Sequence, residues 1–240
     1  MISFSAVSKN YAENHAVDSF TLDMPSRKIT VLMGLSGSGK TTLLRMINKM
    51  VEPSSGSITI DGNDIKELDS VKLRRSIGYV LQEVGLLPHK SVLENVSLIA
   101  KISGQTDNDA KDNASQMLKL VGIDESFFER YPNQLSGGQQ QRVGVARALA
   151  IKPNILLMDE PFGAVDPIVR EELQDELLRI QKELDLTIVL VTHDRYEALK
   201  LADQLVVLSD GAKIEQVGSV TQFKAEPAND FVRKLLGLEK

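Results

Sequence analysis

The chain of 240 residues contains no cysteine and no tryptophan, and it lacks any long uninterrupted apolar run. The absence of cysteine excludes disulfides and thiol chemistry, and it fits a reducing compartment. No window approaches the roughly 18 consecutive apolar residues that a membrane-spanning helix needs. The first six residues, MISFSA, show no basic segment followed by an apolar stretch, so we expect no secretory signal.

Neither sign of charge dominates the sequence, since the formal net charge is only −5. This slightly acidic balance argues against general nucleic-acid binding, so no nucleic-acid partner is expected. The hydrophobic share of 42% and the charged share of 25% are ordinary for a globular protein. The length allows one large domain or two small ones.

Short β-rich runs recur along the chain and favour an α/β fold with strands buried on both faces. The predicted strands cover residues 29–33, 57–60, 77–81, 155–158, 187–191 and 205–208. Turn signals on both sides of residues 57–60 indicate a small antiparallel β piece near the N-terminus. From about residue 83 to residue 150 the pattern is helical instead.

Two amphipathic helices are predicted from apolar residues at three- and four-residue spacing. The first has its apolar face at Ala114, Met117, Leu118 and Val121 and ends at Gly122. The second covers residues 170–184, where Asp166 and Pro167 supply the N-cap and the first helical residue. Its apolar stripe is predicted to consist of Leu173, Leu177, Ile180 and Leu184.

A phosphate-binding loop is indicated by the run GLSGSGKT, which fits G-x-x-x-x-G-K-[ST] at every fixed position. It stands between a predicted strand and a helix opening, so backbone N–H groups and the helix N-terminus would face the phosphates. Lys40 would bridge the β- and γ-phosphates, and the Thr41 hydroxyl would bind Mg²⁺. The predicted nucleotide-binding residues are Gly34, Ser36, Gly37, Ser38, Gly39, Lys40, Thr41 and Thr42. The motif alone does not distinguish ATPases, GTPases and kinases.

Two adjacent carboxylates, Asp159 and Glu160, follow an apolar run at a predicted strand end. Asp159 could reach Mg²⁺, through water, while Glu160 polarises the attacking water molecule. An acidic surface turn before Pro161 is the alternative for an isolated pair of this kind. The phosphate loop upstream favours the catalytic interpretation.

A third motif, LSGGQ at residues 135–139, has the spacing of a helix capping box between Ser136 and Gln139. Capping gives no reason for Gly137 and Gly138, which cost about 1 kcal/mol each relative to alanine within a helix. Bare glycines at a helix end make sense where a phosphate approaches it.

The three motifs in this order resemble those of the nucleotide-binding subunit of an ABC (ATP-binding cassette) transporter. The resemblance implies an α/β P-loop NTPase (RecA-like) core with a small antiparallel β subdomain and an inserted α-helical subdomain. The whole chain would be one ABC ATPase domain, with the core at residues 1–82 and 151–240 and the helical subdomain at about 83–150. ATP and Mg²⁺ are the implied cofactors.

The resemblance also assigns roles that the residues alone would not. Gln82 would join the core to the helical subdomain and sense Mg²⁺ and the permease, and His193 would contact the γ-phosphate and steady the catalytic Glu160. Tyr11 stands where the family carries an aromatic residue that stacks on adenine; a plain surface strand residue is the alternative. Residues 163–166, GAVD, match the D-loop that the family places between its two nucleotide-binding subunits, with Val165 replacing the usual leucine.

The resemblance implies a site shared between two copies of the chain. Residues Ser136, Gly137, Gly138 and Gln139 of one copy would face the γ-phosphate bound by the other, in a head-to-tail, ATP-dependent dimer. The dimer would dock beneath two transmembrane permease subunits, at the cytoplasmic face of the cell membrane. A solute-binding protein would act on it indirectly, through the permease.

Four segments look like those of importers of the glycine betaine, carnitine and choline class: residues 88–89, 136–142, 158–163 and 226–231. Import of another small solute such as an amino acid, export, a soluble ABC-type ATPase and a P-loop small-molecule kinase remain alternatives. ATP-binding proteins of the osmoprotectant class often carry C-terminal cystathionine-β-synthase-type domains. The chain stops at Lys240, so we do not expect regulation by such domains.

Overall fold

The computed structural model describes residues 1–12, 14–163 and 165–238. The strands of this part are β1 (Ile2–Tyr11), β2 (Asn14–Met24), β3 (Ile29–Gly34), β4 (Ser55–Ile60), β5 (Asn63–Asp64), β6 (Ile77–Val80), β7 (Ile155–Asp159), β8 (Thr187–Thr192), β9 (Gln204–Leu208) and β10 (Ile214–Gly218). Its helices are α1 (Lys40–Ile47), α2 (Ser70–Ser76), α3 (Val92–Ile102), α4 (Asp107–Leu120), α5 (Gly137–Leu149), α6 (Pro167–Glu183), α7 (Arg195–Leu201), α8 (Val220–Ala225) and α9 (Asp230–Leu236).

The chain divides into two compact units, and each is described separately. The first unit comprises Met1–Arg74 and Thr187–Lys240, and the second comprises Arg75–Leu186. Among the described residues, no helix is long and apolar enough to cross a membrane.

In the first unit, an antiparallel sheet has the strand order β2-β1-β4-β5. Successive side chains of a strand point to opposite faces, and the larger aliphatic and phenylalanine side chains of β1 and β2 are buried. Phe4 and Phe20 meet edge to face, with ring centroids 5.2 Å apart. The predicted antiparallel piece is therefore a four-stranded sheet that also includes two long N-terminal strands.

The same unit contains a mainly parallel set of strands in the order β10-β9-β3-β8. Strand β3 pairs in parallel with both β8 and β9, and β10 pairs antiparallel with β9. Every residue of β3 and β8 is buried. Strands buried on both faces are mostly apolar. Ligands of α/β proteins bind outside the carboxyl ends of such strands.

The second unit combines the parallel pair β6 and β7 with helices α3 to α6. Helix α4 ends where predicted, because Gly122 adopts a left-handed φ of 70° just past its end. Helix α6 begins with Pro167, and the Asp166 side chain accepts a hydrogen bond from the backbone N–H of Ile168. Both predicted helix boundaries are thus present in the structure.

The predicted apolar stripe of α6 is correct except at its last member. Leu173, Leu177 and Ile180 are at most 5% exposed, whereas Leu184 is 39% exposed. Leu184 is the C-cap residue rather than part of the helix, with φ at −102° and ψ at 3°. The helical spacing therefore no longer directs its side chain to the buried face.

Three charged side chains tie the end of α4 to α5 and α6. Arg142 of α5 donates to the carbonyl of Val121 at 2.8 Å and forms an ion pair with Glu176 of α6. Arg179 of α6 donates to the carbonyl of Leu120 and lies 3.6 Å from Glu176. These bonds satisfy carbonyls that α4 leaves unpaired at its end. The ion pair of Arg142 and the bond of Arg179 join residues of the predicted helical subdomain, which ends at about residue 150, to residues of α6 in the predicted core. The division into core and helical subdomain stays a prediction.

The Nε2 donor of Gln141 on α5 is buried without a hydrogen-bond acceptor among the described residues. Gln141 is 3% exposed. It faces a mostly apolar pocket lined by Phe162, Leu173 and Leu177. Gln181 of α6 is also buried, but its Nε2 donates to the carbonyl of Leu186 at 3.0 Å.

We predict that Gln141→Met raises the free energy of unfolding by about 1–3 kcal/mol, because an unpaired buried donor disappears. The matched substitution Gln181→Met removes a satisfied donor and should lower that free energy by about 1 kcal/mol. Urea unfolding of both variants and the wild type measures the two effects. A loss of stability in both variants would contradict the prediction.

Candidate functional site

The phosphate loop lies between the carboxyl end of β3 and the first turn of α1. Gly39 is the N-cap residue of α1 and has a φ of 86°. A Cβ at this position would stand 2.4 Å from the carbonyl oxygen of Ala16. Both the backbone conformation and the close approach therefore require glycine here.

The N-terminus of α1 has no side-chain cap, since Gly39 has no side chain to offer. The first backbone N–H groups of a helix lack partners within it, and they suit an anion. Thr41 and Thr42 are half-buried in this first turn, while Ser36 and Gly37 are exposed and Ser38 is buried. The loop thus has the form of a phosphate cradle, as the motif predicts.

Lys40 is buried inside this loop, at 5% exposure. Its Nζ donates to the carbonyl oxygens of Gly34 at 2.9 Å and Leu35 at 2.7 Å, and to Ser38 Oγ at 3.2 Å. A buried ammonium is costly unless its donors are satisfied, and these acceptors satisfy them. The side chain therefore holds the loop closed around a positive charge.

His193 is exposed directly after the buried strand β8. The next residue, Asp194, caps α7 by accepting from the backbone N–H groups of Tyr196 and Glu197. Thr192 Oγ1 donates to the buried carboxylate of Glu197 at 2.6 Å and accepts from the backbone N–H of Asp194 at 3.0 Å. These bonds fix the turn that carries His193.

Tyr11 is the last residue of β1 and is 47% exposed. The Nζ atom of Lys9 lies 5.0 Å from the centroid of its ring. An exposed ring with a nearby cation is compatible with stacking on a base that carries phosphates. Its assignment to adenine stays a prediction.

In the second unit, Asp159 and Glu160 have different environments. Asp159 ends β7, in which every residue is buried, and is 6% exposed. Glu160 follows outside the strand, half-buried, with a left-handed φ of 46°. That conformation costs about 1–2 kcal/mol for a residue with a Cβ.

Gln82 and Glu160 are brought together within the second unit. The Nε2 atom of Gln82 donates to Oε2 of Glu160 at 3.4 Å. Gln82 follows β6 and Glu160 follows β7, which run in parallel, so both residues lie at the carboxyl edge of the same strand pair. The family resemblance implies that both residues belong to one site, and that shared role stays a prediction.

The predicted magnesium ligands are a hydroxyl at Thr41, an amide oxygen at Gln82 and a carboxylate at Asp159. This donor set suits Mg²⁺, a hard cation that binds oxygen and takes one or two carboxylates together with substrate phosphates. Among the described residues, no group of three or more His, Asp or Glu side chains could hold a metal ion alone. By donor chemistry alone, these residues fit Mg²⁺.

The helix that follows LSGGQ begins with the predicted capping box. Ser136 Oγ accepts from the backbone N–H of Gln139 at 3.3 Å, and Gln139 Oε1 accepts from the backbone N–H of Ser136 at 2.9 Å. Gly137 is exposed and Gly138 is buried. A Cβ at Gly138 would stand 2.5 Å from Cγ1 of Val169 on α6. Packing on α6 thus gives a reason for Gly138 that the sequence does not reveal, while Gly137 has the exposure that ligand binding needs.

Within the D-loop segment at residues 163–166, Ala164 lies outside the described residues. The backbone N–H groups of Gly163 and Val165 donate to the carbonyls of Glu160 and Phe162, both at 3.2 Å. The turn after Glu160 is thus hydrogen-bonded. Its predicted role between two copies of the chain stays a prediction.

Asn95 is a residue of this region that sequence reasoning missed. It is 1% exposed on α3; its Oδ1 accepts from the backbone N–H of Leu87, and its Nδ2 donates to the carbonyls of Leu87, Lys90 and Ser91. It therefore organises the end of the loop that carries Gln82. The sequence feature that could have revealed it is an amide side chain on the apolar face of a helix, at the position before Val96 and three after Val92.

The described residues define a P-loop nucleotide-binding protein. The family model described as "ABC transporter" matches residues 17–163, and the chain belongs to this family. The predicted family and the predicted fold class, an α/β P-loop NTPase core with an antiparallel β part and helices inserted, are confirmed.

Individual relatives agree with the family match. The chain is 48% identical to the glycine betaine/carnitine/choline transport ATP-binding protein OpuCA of Bacillus subtilis, over 100% of this chain and 63% of that protein. It is 48% identical to the glycine betaine uptake system ATP-binding protein YehX of Escherichia coli, over 99% of this chain and 77% of that protein. The chain spans about three-fifths of the length of several of its curated relatives.

A solved structure with the same fold is the dimeric, post-hydrolysis ATP-binding cassette MJ0796 bound to ADP and Pi. It is similar to this chain with a TM-score of 0.82 at 34% identity, over 92% of this chain and 99% of that one.

We predict that Gly138→Ala lowers the free energy of unfolding by about 1–3 kcal/mol, because the new Cβ collides with the stiff side chain of Val169. The double variant Gly138→Ala, Val169→Ala should recover most of the loss, since the colliding methyl group is gone. Urea unfolding of the two single variants and the double variant measures this coupling. Additive losses would refute the packing explanation.

Proposed function

We propose that the chain is an ATP-hydrolysing nucleotide-binding subunit that powers an ABC importer. The observation that carries the proposal is Glu160, held in a left-handed backbone conformation beside Gln82 at the end of a buried strand. A carboxylate fixed in this way suits a general base. The uncapped, glycine-lined start of α1 supplies the phosphate-binding element.

In the proposed reaction, the backbone N–H groups of residues 37–42 and the Lys40 ammonium bind the β- and γ-phosphates. When bound, Mg²⁺ supplies positive charge against those phosphates, and Thr41, Gln82 and Asp159 are the residues that would hold it. Glu160 orients the attacking water and accepts its proton while the bond from the water oxygen to the γ-phosphorus forms. The bond between the γ-phosphorus and the β–γ bridging oxygen breaks, so that ADP and inorganic phosphate are released. His193 contacts the γ-phosphate and steadies Glu160. Tyr11 stacks on the base.

The site is completed by a second copy of the chain in a head-to-tail dimer. Residues 136–139 of one copy then face the γ-phosphate held by the other. The exposure of Gly137 at the first position of α5 supports this role, because a phosphate can approach the helix end there. ATP would join the two copies, and hydrolysis would release them.

The transported solutes that we propose are quaternary-amine osmoprotectants such as glycine betaine, carnitine or choline. The names of OpuCA and YehX support this class, as do the four sequence segments that resemble such importers. The dimer would dock on two transmembrane permease subunits at the cytoplasmic face of the membrane. A separate binding protein would deliver the solute to the permease.

We predict that Glu160→Gln lowers ATP turnover by about 10²–10⁴-fold while ATP binding persists, because only the general base is lost. Lys40→Ala is the contrasting variant, since it should weaken ATP binding itself. Phosphate release and nucleotide-binding titrations separate the two effects. Near-normal turnover of Glu160→Gln would contradict its assignment as the base.

The transport role predicts which proteins the chain binds in its native membrane. Affinity purification from detergent-solubilised membranes should recover a permease and a betaine-binding protein with it. Recovery with ribosomes or DNA instead would overturn the proposal. Uptake of labelled glycine betaine, measured in cells with and without Glu160→Gln, tests the solute class.

A further inference from the structure

The loop between β6 and α3, residues 81–91, carries Gln82 and contains no helix or strand. Its far end is fixed to α3 by the buried amide of Asn95. Gln82 stands near the other end, beyond the reach of those bonds. The position of its amide next to Glu160 is set on one side by β6, which ends two residues earlier, and on the other side by the contacts of residues 83–86.

Arg147, in the last turn of α5, holds that part of the loop. Its Nη1 atom donates to the carbonyl oxygen of Gly85 at 2.7 Å, and its Nη2 atom donates to the carbonyl oxygen of Val84. The two bonds use the planar fork of the guanidinium, which reaches two adjacent acceptors at once.

One turn earlier on α5, Gly144 lets the loop approach the helix closely. A Cβ at Gly144 would stand 2.5 Å from Cγ1 of Val84. The loop therefore contacts α5 in two successive turns. It packs closely at Gly144, and it accepts charge-assisted hydrogen bonds from Arg147.

The guanidinium of Arg147 has different partners from the guanidinium of Arg142 on the same helix. Arg142 faces the carboxylates of Glu172 and Glu176. The hydrogen bonds of Arg147 go to backbone carbonyls, and burial lowers the pKa of its guanidinium below the usual value. Burying a cation here is costly, and the two carbonyl acceptors of the loop offset that cost.

Helix α5 has the LSGGQ motif at one end and Arg147 at the other. Gly137 and Arg147 are ten residues apart, which is about 15 Å along a helix. The loop that carries Gln82 is attached to the end of α5 that lies away from the motif.

We propose that Arg147 is a positioning residue that fixes the Gln82 loop to α5 and thereby holds Gln82 in its place beside Glu160. The inference rests on the proposed ATPase function, because its effect on turnover acts through Gln82. Arg147 itself contacts neither Gln82 nor Glu160 among its hydrogen bonds.

A double-variant cycle tests whether Arg147 acts through Gln82. Arg147→Met should lower kcat by about 10- to 100-fold, the range found when a supporting residue is lost, and leave ATP affinity unchanged. In a Gln82→Ala background the same substitution should cause no further loss. Arg147→Lys, which keeps the charge without the fork, should recover part of kcat. Arg45→Met, an exposed arginine in the last turn of α1, is the matched control and should keep full kcat.

A purely structural role would give a different pattern. Arg147→Met would then lower the free energy of unfolding, and its effect on kcat would be the same with or without Gln82. Equal losses in the two backgrounds, or an unchanged kcat, would overturn the proposal.

A second measurement does not depend on turnover. Because the chain has no cysteine, Glu83→Cys introduces a single thiol next to Gln82 for a spin label. The label should become more mobile in Arg147→Met, regain part of its order in Arg147→Lys, and stay unchanged in Arg45→Met. Unchanged mobility in Arg147→Met overturns the proposed attachment. If the wild-type chain fails to hydrolyse ATP, the proposed function fails, yet the label still tests the attachment.

Discussion

The contact between Gly39 and the carbonyl of Ala16 is the constraint on which the first unit depends. With 2.4 Å between that oxygen and any Cβ, the start of α1 can lie against β2 only because residue 39 is glycine. Strand β2 also pairs with β1, which ends at Tyr11. The close approach of Gly39 to Ala16 therefore fixes the position of the phosphate loop relative to the β1–β2 pair, which carries Tyr11. The buried strand β3 then gives this arrangement a rigid base.

Much of the fold was predictable because its signals are local. The buried strands are short apolar runs, and the starts of α5 and α6 have capping side chains within three residues of the helix. The candidate site residues could be selected for the same reason: Lys40, Asp159 and His193 each stand at the end of an apolar strand or within a contiguous motif. The strands β1 and β2 were missed because polar residues interrupt their alternation and bulges shift their register.

The features that sequence reasoning could not supply depend on neighbours far along the chain. The left-handed φ of Glu160 follows from the turn that it must enter, and glutamate itself carries no such preference. Gly138 is explained by Val169, 31 positions later (169 − 138), which no local pattern connects to it. The exposure of Leu184 likewise depends on where α6 stops, a boundary that helical spacing leaves open.

The two arginines that bind the carbonyls at the end of α4 affect how this helix end unfolds locally. The carbonyls of Leu120 and Val121 are bound by guanidinium groups that belong to α6 and α5, and both groups share Glu176. A helix end usually frays by itself, with little free energy. Here fraying of α4 must break charged bonds to two other helices at once. Amide hydrogens of its last turn should therefore exchange with solvent only when the three helices separate together, which makes them one cooperative unit in native-state hydrogen exchange.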